Sequence, residues 1–342
     1  MQKRTEMANR HRRPAGWLLG AKPDLKDWRK ALDRLDGSYS PFTLLSYRAD
    51  FSSFEAWCLK QGLGSLPAQP DTLALFIAHE MGRLKPTTLK RKLAGLRKVH
   101  HLLRLKDPTR DIEVDLAIRR AQRQKPQRPS QALGFTADLR DRLLAVCPED
   151  LVGLRNRALV AVGFDTLCRR SELVSLRVED IQPNHFGTAS LLIRRAKNDP
   201  NGSGRIAHLT NGALEALNSW LAAASIRNGP LFRPVYQNHV VDRHMNPIIV
   251  GRVLKCLAAR VGMSAEEVNE ISGHSLRVGA AQQLTMNGLQ LLPIMRAGGW
   301  RSVNVVARYV ENVDMNVWGQ LVQVWQRLIL MVRAADHFQF GW

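Results

Sequence analysis

Two arginines, a histidine, a lysine and a tyrosine are spread through this 342-residue sequence in an order that suits work on a phosphodiester. His274 and Arg277 lie three apart in Gly273-His274-Ser275-Leu276-Arg277-Val278-Gly279-Ala280-Ala281, so on a helix they share a face. Ala297-Gly298-Gly299-Trp300 and Tyr309 follow, and Leu167-Cys168-Arg169-Arg170-Ser171-Glu172-Leu173 brings another arginine from upstream. Attack by a tyrosine oxygen on a phosphodiester needs three kinds of help. Negative charge grows on the non-bridging oxygens, and two guanidiniums clamp them bidentately, which lysine cannot copy. The tyrosine proton must leave, and His274 can accept it or hydrogen-bond the phosphate. The departing alkoxide must gain a proton, for which a lysine on a hairpin, such as Lys197, is a suitable acid. Arg169, Arg277, His274, Lys197 and Tyr309 supply that set.

Each residue also has a plainer reading. The four tyrosines are Tyr39, Tyr47, Tyr236 and Tyr309. Tyr39 and Tyr47 read as core or backbone-contact residues and Tyr236 as a loop residue. Tyr309 alone would be core, and its company reverses that. Arg170 suffices for a surface position, whereas Arg169 followed by Ser171-Glu172 fits an arginine held at a buried helix start, with Glu172 structural rather than a catalytic acid. Arg194 and Arg195 read as DNA-facing. His185, His208, His239, His244 and His337 have no ligand spacing. With no carboxylate trio or His/Cys cluster, neither a metal nor another cofactor is expected, and the two arginines can do the charge work of a divalent cation. Cys58, Cys147, Cys168 and Cys256 form no CxxC pair and read as free thiols, which suits a reducing cytoplasm.

The elements that must position these groups sit in a very basic chain. Fifty Lys+Arg against 30 Asp+Glu give a formal charge of +20 and a pI of about 10.6. Such a balance favours a polyanion. No apolar run is long enough to span a membrane, and the basic start lacks the apolar core of a secretory signal, so nucleic acid is the expected partner. The charge is uneven: residues 1–130 hold 27 Lys+Arg and 13 Asp+Glu, while residues 83–128 hold 15 against 4. Lys85, Lys90, Arg91, Arg97, Lys98, Arg104, Arg119, Arg120 and Arg123 recur on helical turns, with Thr87 and Thr88 beside them. A solvated basic face is the bland alternative, but the scarcity of acidic partners favours contact with a DNA backbone.

Residues 1–22 read as a flexible basic arm and 23–124 as a helical domain. Its helices are expected from Pro23-Asp24 to about Asp36, Pro41 to about Gln61, from Pro70, from Pro86 to about Arg104, and from Asp111 to Gln124. Residues 125–134, rich in proline and polar groups, read as a linker. A second domain, 135–342, is expected to open with helices at Thr136–Val146 and Leu151–Leu167. Strands at 190–195 and 204–209 should form a hairpin carrying Lys197. Helices follow at about 210–225, 246–262, 275–287, 291–297 and 302–309. The apolar stripe of Val317, Trp318, Leu321, Val322, Trp325, Leu328 and Ile329 makes a helix at about 315–332.

Arg169, Lys197, the His274-Ser275-Leu276-Arg277 run, Gly298-Gly299-Trp300 and Tyr309 together resemble the tyrosine recombinase (phage integrase) family, especially its Cre-like members. The likeness extends from about residue 24 to 330. It implies a mainly helical chain with a small sheet: a SAM-like core-binding domain and an α+β catalytic domain closing as a C-shaped clamp on DNA. It also implies that Tyr309 forms a 3′-phosphotyrosyl bond, Arg169 and Arg277 hold the scissile phosphate, Lys197 protonates the 5′-hydroxyl and His274 serves in acid/base catalysis. Trp300 stands where most of the family has a second histidine. Its indole N–H can donate but cannot shuttle a proton, which points to a buttressing role.

The expected function is site-specific, cofactor-free recombination through a Holliday junction. A dimer would sit on each palindromic double-stranded site and a tetramer in the synapse, in a bacterial or phage setting. The 315–332 helix would then dock on a neighbouring subunit, the alternative being a helix folded onto its own domain. The short N-terminal segment leaves no room for an arm-binding domain, which favours a simple system. A one-duplex enzyme, such as a type IB topoisomerase or telomere resolvase, would use the same chemistry. A non-catalytic DNA-binding regulator would lack one of the catalytic residues, and none is missing.

Overall fold

Helix starts in the first unit follow from local chemistry. The computed structural model describes residues 27–125, 131–184, 188–194 and 202–311, and the chain divides into two units between Pro129 and Ser130. α1 (Trp28–Asp33) begins after Asp27, whose carboxylate accepts from the Lys30 N–H. α2 (Pro41–Gln61) is capped by Ser40, whose hydroxyl accepts from the Thr43 N–H at 3.2 Å. Proline at the first helical position of α2, α3 (Pro70–Glu80) and α4 (Pro86–Leu102) lacks only an N–H that would be unpaired anyway. α5 (Ile112–Gln124) is capped by Asp111. α2 ends on Gly62 in the left-handed region, the usual exit for a helix. α4 stops two residues before the expected Arg104, because Arg104 itself takes a left-handed conformation and turns the chain.

The core of this unit is aromatic. Trp28, Phe51, Phe54 and Phe76 are buried and meet in tilted or edge-on pairs, with the part-buried Trp57 stacked on Phe54. His100 is fully buried and satisfied: Nδ1 donates to the Leu96 carbonyl and Nε2 accepts from the Ala68 N–H.

The second unit is mostly helical around a small sheet. α6 (Ala137–Ala145) and α7 (Leu151–Asp165) lead to a single helical turn, α8 (Arg170–Leu173). β1 (Ile181–Pro183), β2 (Ala189–Ile193) and β3 (Arg205–Leu209) form an antiparallel sheet in that order, with Ile193 opposite Arg205 and Leu191 opposite Ala207. The expected hairpin is thus present as β2 and β3. β1 was not expected, being three residues long and ending in proline. α9 (Asn211–Ala223) follows, then β4 (Val235–Tyr236) and β5 (His239–Val240), a short hairpin turned through Gln237 and Asn238, both at positive φ. Tyr236, read from sequence as a loop residue, lies in that hairpin. The described residues finish with α10 (Pro247–Arg260), α11 (Ala265–Glu270), α12 (Ser275–Met286), α13 (Leu291–Gly298) and α14 (Val303–Val310).

α12 is buried for most of its length and is the element to which the others fit. A Cβ on Gly279 would lie 1.8 Å from the Phe135 carbonyl oxygen, and one on Gly163 of α7 would lie 2.7 Å from Leu276. Bare glycine therefore lets α7 and the 135 strand of chain approach α12 closely. From Gln131 onward the segment expected to be linker is tied to this unit: Leu133 N–H donates to Glu270 O and Phe135 N–H to Ser275 O. The arm at 1–22, residues 126–130 of the linker and the helix expected at 315–332 lie outside the described residues.

Candidate active site

Arg169 is the N-cap of α8, and Glu172 stands at the third residue of that turn. The Glu172 carboxylate accepts twice from Arg169, from the backbone N–H at 3.0 Å and from Nη1 at 2.6 Å. Its side chain is only 3% exposed and that of Arg169 16%. A buried carboxylate thus holds Arg169 by both its backbone and its side chain.

One helix away, Arg277 is 1% exposed on α12. Its Nη1 donates to the Leu167 carbonyl, and its guanidinium carbon sits 3.9 Å from the centroid of the Trp300 ring. Burial first, then the neighbouring Arg169, depresses its pKa to about 10, which still leaves it charged at neutral pH. Arg277 Nη2 and Trp300 Nε1 are both buried without a hydrogen-bond partner among the described residues. Buried donors are seldom left unpaired, because each forfeits its hydration.

Two glycines shape the turn that presents Trp300. Gly299 caps α13 with φ +66°, and a Cβ on Gly298 would lie 1.9 Å from the indole ring. The ring therefore lies flat against bare backbone. Tyr309 on α14 is half-buried, its ring centroid 5.6 Å from that of Trp300. Its carbonyl accepts from Gln131 Nε2 at 3.0 Å and Gln282 Nε2 at 3.2 Å, so two side chains hold the backbone of the tyrosine.

His274 precedes the first residue of α12, exposed at its edge, with its backbone N–H donating to Ser272 Oγ. Partial burial of the ring, then the guanidiniums of Arg170, Arg277 and Arg169, lowers its pKa below the ordinary histidine value. That lowering favours the neutral imidazole, the form able to accept a proton. The start of α12, the α8 turn, the Gly-Gly-Trp turn and α14 thus bring Arg169, Glu172, His274, Arg277, Trp300 and Tyr309 to one place. Lys197 and Arg195 lie outside the described residues. Arg194, expected to face DNA, has its Nε on the buried Asp180 carboxylate.

Three residues of the site were not singled out from sequence: Arg205, Gln131 and Gln282. Arg205 lies on β3 in step with Ala207 and Leu209, both buried, and that period-two register was the available signal. The glutamines carried none, because their bonds run to a backbone carbonyl far along the chain.

In the first unit the basic residues separate into two groups. Arg91 pairs with the buried Asp50, Arg97 Nε lies 2.9 Å from Thr109 Oγ1 and 3.2 Å from Asp107, Lys98 bonds the Tyr39 hydroxyl, and Arg119 lies 3.8 Å from Asp115. Lys85, Lys90, Arg120 and Arg123 are exposed and form no ion pair among the described residues, and Thr87 is exposed beside them with Thr88 half-exposed. No helix among the described residues is long and apolar enough to cross a membrane, and no group of three His, Cys, Asp or Glu there is placed to hold a metal.

The fold and sequence have known counterparts. The pattern of the "phage integrase, N-terminal SAM-like domain" matches residues 25–106, and that of the "phage integrase family" matches 135–315. An integrase/recombinase XerD homolog of Selenomonas ruminantium is 30% identical over 300 residues, covering 83% of this chain and 85% of the relative. The recombinase Cre of Escherichia phage P1 is 27% identical, over 77% of this chain and 81% of its own. Among solved structures, the Tn1549 transposon integrase with transposon right-end DNA superposes with a TM-score of 0.62 at 14% identity, covering 87% of this chain and 98% of that one. XerH recombinase bound to its difH substrate gives 0.60 at 16% identity, over 88% and 84%. A lambda integrase tetramer on a Holliday junction gives 0.58 at 14% identity, over 85% and 78%. With a helical unit of SAM-like pattern, a second unit matched over residues 135–315, and an arginine–histidine–tryptophan–tyrosine site gathered around α12, this chain belongs to the phage integrase family, the tyrosine recombinases that cleave and rejoin DNA.

Proposed function

We propose that Tyr309 is the nucleophile of a site-specific recombinase and that Arg169, Arg277, Trp300, His274 and Lys197 serve it. The Tyr309 oxygen attacks phosphorus, a 3′-phosphotyrosyl bond forms and the bond to the 5′ oxygen breaks. His274, its pKa lowered toward the proton-accepting form, takes the tyrosine proton, and Lys197 gives one to the leaving 5′ oxygen. Attack by a 5′-hydroxyl of the partner duplex on the phosphotyrosine reverses the chemistry and yields a Holliday junction. The bond energy is conserved throughout.

The observation that carries this reading is the pair of buried, unpartnered donors, Arg277 Nη2 and Trp300 Nε1, beside the one tyrosine of the site. A phosphate oxygen reaching either one would supply the acceptor it lacks. Such donors, fixed before the charge develops, stabilise the pentacoordinate phosphorane without reorganising. The exposed basic side chains of the first unit grip the duplex through its phosphates and carry no sequence information by themselves.

A dimer on each palindromic site and a tetramer in the synapse, within a bacterial cytoplasm, complete the reading. The apolar stripe at 315–332 supports docking of that segment on a neighbouring subunit. The test is covalent capture. With DNA carrying a nick next to the cleavage point, wild-type protein should accumulate a protein–DNA adduct, and Tyr309→Phe should form none. Adducts at wild-type level from the Phe variant would remove Tyr309 from the mechanism.

A further inference from the structure

Among the described residues, Arg205 is a largely buried charged side chain of the site to which the chemistry above gives no task. Its side chain is 11% exposed. Nη1 donates to the Ala297 carbonyl at 2.6 Å and Nη2 to the Thr166 carbonyl at 2.8 Å. Nη2 also lies 3.7 Å from Cys168 Sγ and 3.9 Å from Glu172 Oε2. The stem lies along the Gly-Gly-Trp turn: a Cβ on Gly299 would meet Arg205 Cδ at 3.1 Å and Nε at 3.3 Å. Nε is buried with no partner.

These contacts join three separate pieces of chain. Thr166 ends α7 just before the loop that leads to Arg169, and Glu172 is the carboxylate that orients Arg169. Ala297 is in the last turn of α13, whose C-cap Gly299 precedes Trp300. Arg205 itself is on β3. We infer that Arg205 is a positioning residue for the phosphate clamp, bridging the Arg169–Glu172 turn and the Trp300 turn so that both meet the same phosphate. The planar fork is what allows this: two parallel sets of N–H groups reach two carbonyls in different elements while the charge stays near Glu172. Lysine has a single nitrogen at the end of its stem and cannot reproduce the bridge.

This inference rests on the proposed function, so its test is built to fail separately from it. Arg205→Met and Arg205→Lys would be compared with wild type and Tyr309→Phe for adduct formation, DNA affinity and thermal unfolding. The DNA would carry either the natural scissile phosphate or a methylphosphonate, whose lost charge removes the need for the clamp. Both variants should bind DNA within about threefold of wild type yet cleave the natural phosphate about 100-fold more slowly, the scale expected of a misplacement near 1 Å. On the methylphosphonate the deficit relative to wild type should shrink to about threefold. Cleavage near the wild-type rate, rescue by lysine, an equal deficit on both substrates, or loss of folded protein in both variants would each overturn the inference and leave Arg205 a core residue. Adducts from Tyr309→Phe would instead overturn the underlying assignment of the nucleophile.

Discussion

Trp300 shows best what a residue's type reveals and what only its surroundings can. From sequence it reads as a support, because indole cannot shuttle a proton. The structure adds that its N–H is buried without a partner while Arg277 stacks on its face. The two roles separate experimentally. Trp300→Phe keeps the stacked ring and loses the donor, so a phosphate donor predicts a fall of about 100-fold in adduct formation, as for one oxyanion-hole donor. A support alone predicts nearly unchanged rates. His274 makes a second prediction. Its pKa is held below the ordinary value by partial burial and by the guanidiniums of Arg170, Arg277 and Arg169. The lowered value means that the imidazole stays neutral as the pH falls through about 6.5 and gains its proton only below that. The second-order rate of adduct formation should therefore be level from pH 8 to about 6.5, then decline, and His274→Gln should erase that acid limb. A limb centred above 6.5 would contradict a proton-accepting role. At this scale the histidine, both arginines, the tryptophan and the tyrosine were legible because their types and order are chemical statements. Arg205 was not, because its task is defined by carbonyls at 166 and 297 that no local pattern connects to it.

Among the elements, those that announce their ends were the ones the sequence made plain. Ser40-Pro41, Pro86, Asp111 and Asn246-Pro247 each begin a helix where a cap or a proline says one should start. The α8 turn, α11 and the β4–β5 hairpin are too short for periodicity to show, and α11 buries no residue but starts on a local capping box between Ser264 and Glu267. α8 depends on the internal bond between Arg169 and Glu172, and the Gln237-Asn238 turn lacks the glycine that usually marks such a hairpin. The Gly298-Gly299-Trp300 turn was visible as a turn, but the reason for its first glycine was not. Gly298→Ala must push a methyl into the indole, an overpacking that costs about 1–3 kcal/mol. The expected result is a lower unfolding midpoint together with weaker adduct formation, as Trp300 moves off Arg277. Gly212→Ala, in the first turn of α9 with open space around it, serves as the control and should leave both unchanged or slightly raise the midpoint. Equal behaviour of the two variants would show that the indole does not need bare backbone beneath it.

For the molecule as a whole, the informative quantity is how its charge is spent. A formal +20 says only that a polyanion is the partner, whereas the structure divides the cations of the first unit between internal pairing and solvent. Arg91 neutralises Asp50, a carboxylate that burial pushes above its usual range despite that partner. Removing Arg91 strips the buried carboxylate of its hydrogen-bonded partner and leaves only Lys92 nearby, so Arg91→Ala should act mainly on stability. Lys85, Lys90 and Arg120 have no such obligation. Their loss should spare the unfolding midpoint and appear in the salt dependence of DNA binding. Each phosphate contact releases condensed counterions and contributes about −0.9 to the slope of log K against log salt. The wild-type slope should be steep, and the triple variant Lys85→Ala, Lys90→Ala, Arg120→Ala should be shallower by up to about 2.7 if all three touch phosphate. The check is a titration of Kd between low and moderate salt on cognate and unrelated duplexes. The change in slope should be the same on both, because phosphates are shared by every sequence. An unchanged slope would return these side chains to a solvated face, and a loss confined to the cognate site would make them readers of bases.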